Sequence, residues 1–230
     1  MTSDFSRDTD YWNLYYEKNS VGAKASSFAL KVYEEIETEQ KFLNLDCGDV
    51  ENPIPPPWIS LLDLGCGNGR DSLFFLEKGL KVTAVDASDV AIKKLSDLNC
   101  KNANFICGDF VSSPIVFSQK YNYCYSRFSI HAITAEQEDL LLTNVKKSLH
   151  SGGKFFIEVR SVHDELFGKG ECVGKNSFAY DGHFRRFIDK NELEENLTEK
   201  NFKILYSEEN VNFAPFGNEN PPIVRIIASV

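Results

Sequence analysis

The chain has 230 residues, 42% of them hydrophobic and 26% charged, the balance of a soluble globular protein with room for one α/β domain and a small appendage. Its formal net charge of −9 argues against broad nucleic-acid binding, which needs a basic face. Six cysteines without a C-x-x-C pair speak against a zinc site and suit a reducing compartment. A polar start and the lack of any apolar run of membrane-span length point to a cytoplasmic protein.

Residues 1–58 read as an N-terminal helical cap and linker ahead of a domain at 59–230. Tyr11-Trp12 and Tyr15-Tyr16 fall at near-helical spacing. They predict a short helix with one aromatic face buried, either on the domain or over a pocket that Tyr11, Tyr15 or Tyr16 would face. A helix is predicted over 28–40, with Phe28, Val32 and Ile36 on one stripe. Lys41 to Trp58, polar and holding Pro53, Pro55, Pro56 and Pro57, reads as a stiffened linker. From Ile59, strands at 59–64, 81–85, 103–107, 121–126 and 154–159 interleave with helices at 69–78, 88–98 and 136–149. That alternation is the pattern of a parallel sheet covered on both faces. Ser88 is a candidate N-cap. Phe167 to Glu171 reads as a loop, and His183 to Arg186 as at most a strand edge. A polar helix near 189–200 precedes strands at 202–208 and 222–230. With no helix between them, these pair antiparallel around a long loop, 209–221.

The stretch Leu61-Leu62-Asp63-Leu64-Gly65-Cys66-Gly67-Asn68-Gly69-Arg70-Asp71 reads as strand, tight turn and helix start. Its alternate glycines let the backbone approach a ligand closely. The next strand ends in Asp86, an acid placed to take both hydroxyls of a ribose. The dinucleotide fingerprint G-x-G-x-x-G presents N–H groups to a pyrophosphate. Here the spacing is G-x-G-x-G, and Asp63 beside it would repel phosphate but suits a cationic amino group. S-adenosylmethionine has an adenosine, an ammonium and a sulfonium, and no phosphate. D-L-G-C-G-N-G followed by V-D-A-S resembles the class I S-adenosylmethionine-dependent methyltransferases. The alternative is a glycine turn in another doubly wound protein, a dinucleotide binder included.

The resemblance implies an α/β, Rossmann-like fold: a seven-stranded, mostly parallel sheet of order 3-2-1-4-5-7-6, strand 7 antiparallel, with helices on both faces. It implies that Gly65, Cys66, Gly67, Asn68 and Gly69 lie under the methionine portion, with Asp63 near its ammonium. Asp86, followed by Ala87 and Ser88, is implied at the ribose. Asp109 is implied to take the adenine amino group, with Phe110 stacking on the ring. Arg70 is a candidate partner of the methionine carboxylate, Asp71 of the helix N-terminus, and Ser126 lies at the edge of the same crevice.

Basic residues gather downstream of the fourth and fifth strands: Arg127, His131, Arg160, His163, Lys169, His183, Arg185 and Arg186. In an acidic chain this concentration predicts a small anionic substrate, carrying phosphate or carboxylate, rather than a polymer. Arg127 and Arg160 would orient it. His131 or His163 would act as base where the acceptor atom carries a proton. The patterns Y-S-R-F-S-I-H-A-I, E-V-R-S-V-H-D-E-L-F-G-K-G and G-H-F-R-R-F-I are similar to a bacterial small-molecule subgroup that modifies capsule and surface polysaccharide, phosphoramidate decoration included. No metal, nucleic acid or membrane partner is implied, and nothing bears on oligomeric state. A non-catalytic partner protein of the same fold and a protein methyltransferase are the other readings.

Overall fold

The computed structural model describes residues 5–18, 24–45, 59–180, 182–215, 217 and 219–230. In chain order the elements are α1 (Phe5–Lys18), α2 (Ser27–Leu45), β1 (Ser60–Leu64), α3 (Arg70–Glu77), β2 (Lys81–Asp86), α4 (Asp89–Ser96), β3 (Ala103–Cys107), β4 (Tyr121–Arg127), α5 (Ala135–Ser148), β5 (Leu149–Arg160), β6 (Glu171–Gly174), β7 (Ser177–Tyr180), β8 (His183–Arg186), α6 (Lys190–Glu199), β9 (Lys203–Asn210) and β10 (Ile223–Ser229). Seven strands form one sheet in the order β3-β2-β1-β4-β5-β10-β9. β1 to β5 run parallel, and β10 is antiparallel to both β5 and β9. This is the expected α/β, Rossmann-like sheet with its antiparallel last strand.

Successive side chains on a strand point to opposite faces, so each strand feeds two cores. Leu62, Leu64, Cys124 and Ile157 pack with Leu141 and Val145 of α5 and Leu193 and Leu197 of α6. Leu61, Tyr123, Tyr125 and Phe156 pack with Phe75 of α3 and with Phe28, Val32 and Ile36 of α2. The α2 stripe is thus a face of the sheet's own core, each of its side chains contributing roughly 1.5–3 kcal/mol of burial. Helix starts follow local chemistry. The Ser88 hydroxyl caps α4 by accepting from the Ala91 N–H at 3.1 Å. Thr134 and Gln137 close a reciprocal capping box on α5. Asp189 caps α6.

Two differences from the sequence reading matter. α2 continues to Leu45, five residues past its expected end, while 46–58 of the expected linker lies outside the described residues. More important, the expected loop between β5 and α6 holds a three-stranded antiparallel ribbon, β6-β7-β8. Its strands are four residues long, too short for alternation to register. A tight turn at Asn176, with φ 55°, and Gly182, with φ 74°, reverse the chain between them. Phe167, Phe178 and Phe187 brace the ribbon, with ring centroids 5.1 Å and 5.7 Å from Phe167.

Candidate active site

The loop after β1 is bound to the end of β2. Val85 C=O accepts from the N–H groups of Gly65 and Cys66 at 2.8 and 3.0 Å. Asp86 accepts the Gly67 N–H at 2.8 Å on one carboxylate oxygen and the Ser88 N–H at 2.9 Å on the other. Gly65 and Gly67 have φ of 76° and 54°. A Cβ on Gly65 would lie 2.5 Å from Ser129 Cβ, and one on Gly67 would overlap the Tyr16 hydroxyl. Both positions therefore need glycine for conformation and for space.

Above this loop, where the strand order reverses between β1 and β4, opens a cavity of about 720 Å³. Its floor is Asp63, Gly65, Cys66, Gly67, Asp86 and Ala87. Arg127, Phe128 and Ser129 from the end of β4 form one wall, continued by Ile133 and Gln137 at the start of α5. Trp12, Tyr15 and Tyr16 of α1 and Val173, Ala179 and Phe184 of the ribbon complete it. Phe128 is held at φ 55°, an unusual conformation for an aromatic residue and a mark of a site that constrains its backbone.

The floor is acidic. Burial raises Asp63 from 3.8 to about 7, against the Ser72 hydroxyl, which donates to it at 2.5 Å. Burial also raises Asp86, opposed by the backbone N–H groups it accepts. Each carboxylate has spare lone pairs, so Asp86 can still take hydroxyls and Asp63 an ammonium. A pocket floored by carboxylates on a close-approach glycine turn fits a cationic nucleoside and does not fit a pyrophosphate. Arg70, 3.3 Å from Asp71, is the guanidinium beside that floor.

A family model described as "Methyltransferase domain" matches residues 61–153. Malonyl-[acyl-carrier protein] O-methyltransferase of Hamiltonella defensa is 26% identical over 190 residues, covering 81% of this chain and 69% of that protein. The chain spans about half or less of several other curated relatives. A solved S-adenosylmethionine-dependent methyltransferase from Methanosarcina mazei has the same fold, with a TM-score of 0.64 at 20% identity, over 76% of this chain and 94% of that one. The Burkholderia thailandensis 1,6-didemethyltoxoflavin-N1-methyltransferase, solved with 1,6-didemethyltoxoflavin and S-adenosylhomocysteine, gives 0.58 at 19% identity, over 91% and 93%. Residues 61–153 thus match a methyltransferase domain, and the chain is an S-adenosylmethionine-dependent methyltransferase.

In this methyltransferase most of the expected cofactor residues meet at one cavity: Asp63, Gly65 to Asn68, Arg70, Asp86, Ala87 and Phe110. Four others support the wall from behind. Gly69 caps α3 beneath Leu95. The Ser88 hydroxyl donates to Asn13 Oδ1 at 2.6 Å besides capping α4. Asp109 accepts from the Val111 N–H at 2.8 Å and the Ser112 hydroxyl at 2.5 Å. The Ser126 and Ser129 hydroxyls share a 2.6 Å hydrogen bond.

The expected substrate residues disperse. Tyr15, Tyr16 and Arg127 line the cavity, with the Tyr16 hydroxyl against Gly67 of the loop after β1. Arg127 donates to Glu158 at 2.7 Å and lies 4.0 Å from Asp71. Arg160 is paired with Asp164 at 2.7 Å and with Glu219 at 3.5 Å. The His163 side chain is 72% exposed and 2.7 Å from Glu209. Lys169 is exposed on the loop before the ribbon. Arg186 is buried against Glu138 and donates to Ile133 C=O at 2.9 Å. Tyr11 stacks on His183 at 4.5 Å. His131 and His183 are buried outside the cavity wall, both held low by burial, His183 at about 4. No histidine among the described residues lines the cavity.

Sequence reasoning missed Trp12, Phe128, Ile133, Gln137 and Phe184 as wall residues, and Tyr125 with Asp71 as its buried support. The Tyr125 hydroxyl donates to Asp71 at 2.8 Å, and Asp71 also accepts the Ser26 N–H and hydroxyl at 2.8 Å each. The T-x-x-Q spacing of Thr134 and Gln137 is a signal in the sequence that would mark the helix start beside Ile133 and Gln137.

Proposed function

We propose that this methyltransferase acts on an oxygen or nitrogen of a small molecule with an apolar or aromatic body and one acidic group, a phosphate or carboxylate. The observation that carries the reading is the division of the cavity. Its β1–β2 side is acidic, suited to the cationic cofactor. Beyond β4 it is walled by Trp12, Phe128, Ile133, Val173 and Phe184, with Arg127 between the two regions. Bound S-adenosylmethionine supplies a methyl group already activated by its sulfonium. What remains for the protein is alignment, which in favourable intramolecular systems supplies about 7–11 kcal/mol. Arg127, with its charge shared with Glu158 and Asp71, suits drawing an anionic molecule into the cavity without pairing tightly with its reacting atom. With no described histidine at the wall, the reading favours an acceptor atom that needs no histidine base: an ionised oxygen, or an amine offering its lone pair.

The test is a panel of phosphorylated sugars, aromatic carboxylates and their neutral counterparts, incubated with S-adenosylmethionine and scored by mass for one added methyl. Methylation confined to acidic members supports the reading, and methylation of neutral members alone defeats its acidic part. Failure of the purified protein to bind S-adenosylhomocysteine would defeat it altogether. No described helix is long and apolar enough to cross a membrane. The described cysteines are free thiols, which favours the cytoplasm as its compartment.

A further inference from the structure

Among the described residues, three buried side-chain nitrogens have no hydrogen-bond partner: His131 Nδ1, His183 Nδ1 and Arg185 Nε. All three belong to one neighbourhood. His131 sits in a 3₁₀ turn at 130–132, which packs against β8, and β8 carries the other two. Buried polar groups in folded proteins are almost always paired, so three orphans converging on one place mark a site whose partner is a ligand.

We infer that His131, His183 and Arg185 form an anion-binding subsite beside the acceptor end of the cavity, built for a carboxylate or phosphate oxygen. Arg Nε–H can only donate, and each imidazole can present an Nδ1–H, so three donors can meet on one acceptor group. The charges select the same ligand. Arg160 is balanced by Asp164 and Glu219, and Arg186 by Glu138. Arg185 forms no ion pair among the described residues. Asp164 and Glu219 act on Arg185 only at a distance, so a water molecule would satisfy the donors without pairing that charge, and a cation would face a like charge. Burial and the nearby Arg185 hold both imidazoles neutral at neutral pH, so the subsite carries a single positive charge.

Its position ties it to catalysis. Phe184, between His183 and Arg185, is in the cavity wall, as is Ala132 next to His131. Strand alternation turns the two neighbours of Phe184 to the opposite face. The subsite therefore lies behind that wall, with Trp12, whose ring is 5.3 Å from that of His183, between the two spaces. Tyr11, stacked on His183 and 37% exposed, covers it from outside. The occupant is either the acidic group of the acceptor, which rests on the function proposed above, or a free anion, and the test separates them.

Wild-type protein saturated with S-adenosylhomocysteine is titrated with inorganic phosphate and with phenyl phosphate, while the ring nitrogens of His131 and His183 are followed by ¹⁵N NMR. Both histidines are expected to shift together and settle as the Nδ1–H form. Arg185→Gln is expected to weaken phosphate binding about tenfold while leaving S-adenosylhomocysteine affinity unchanged. Tighter binding of phenyl phosphate identifies the acceptor's own acid as the occupant, and equal binding identifies a free anion. Histidine signals that ignore both probes, or undiminished binding by Arg185→Gln, overturn the subsite. If Arg185→Gln does not fold, the wild-type histidine titration decides alone. If the protein fails to bind S-adenosylhomocysteine, the methyltransferase reading falls separately, and the phosphate titration is still read on the protein without it.

Discussion

Asp63 combines a place on the cavity floor with a physical cost. Burial lifts its carboxyl from 3.8 to about 7. Between those values the unfolded chain has lost a proton that the folded protein keeps, so this group lowers stability progressively as pH rises through that window. A cationic ammonium beside Asp63 favours the ionised form. S-adenosylhomocysteine affinity, measured by calorimetry, is therefore expected to rise between about pH 6 and pH 8, and the rise should flatten in Asp63→Asn. Gly67 gives a second test at this scale. Gly67→Ala meets the Tyr16 hydroxyl and forces an alanine to φ 54°. The backbone part costs about 1–2 kcal/mol. Adding Tyr16→Phe relieves only the clash, so the double variant should recover part of the lost cofactor affinity. Additive losses in the cycle would show that Tyr16 does not rest on the loop.

At the scale of elements, the ribbon and α5 are joined by a buried charge pair. Arg186 of β8 meets Glu138 of α5, which also accepts from Asn196 of α6 at 2.8 Å. Removing one partner leaves a buried charge alone, so Glu138→Ala should lose about 3–5 kcal/mol in urea unfolding. Glu138→Leu combined with Arg186→Met should recover most of that, because two apolar groups leave no orphan charge. A double variant as unstable as the single one would mean that Asn196, not the ion pair, dominates. The first three strands were legible in the sequence because each is an apolar run closed by glycine or an acid, at Gly65, Asp86 and Gly108. The ribbon was not, because four-residue strands carry too few alternations, and their support from Phe167, Phe178 and Phe187 comes from packing.

Across the whole molecule, one buried network ties the cavity to the far side of the sheet. Arg127 and Arg225 each donate to Glu158, at 2.7 and 2.6 Å. Arg225 continues to the Ser27 hydroxyl at the start of α2 and to Phe213 C=O. β4, β5, β10 and α2 are thereby locked in one arrangement around Arg127. Arg225→Met should lower the melting temperature by several degrees and reduce kcat more than it changes S-adenosylhomocysteine affinity, because Glu158 would then pull on Arg127 alone. Unchanged turnover in a destabilised variant would reduce the network to scaffolding.

The loop and carboxylates that floor the cavity were readable from residue order alone. Their chemistry lies in contiguous residues, Asp63 to Arg70 and Asp86 to Ser88, where strand, turn and helix follow covalently from one another. The acceptor half was decided in three dimensions. Arg160, His163 and Arg186 looked like substrate ligands until Asp164, Glu209 and Glu138 neutralised or engaged them, two of these from more than forty positions away. Trp12 and Phe184 became walls only when α1 and the ribbon folded over the sheet. Charge balance and burial depend on distance in space, and the linear order of residues does not contain it.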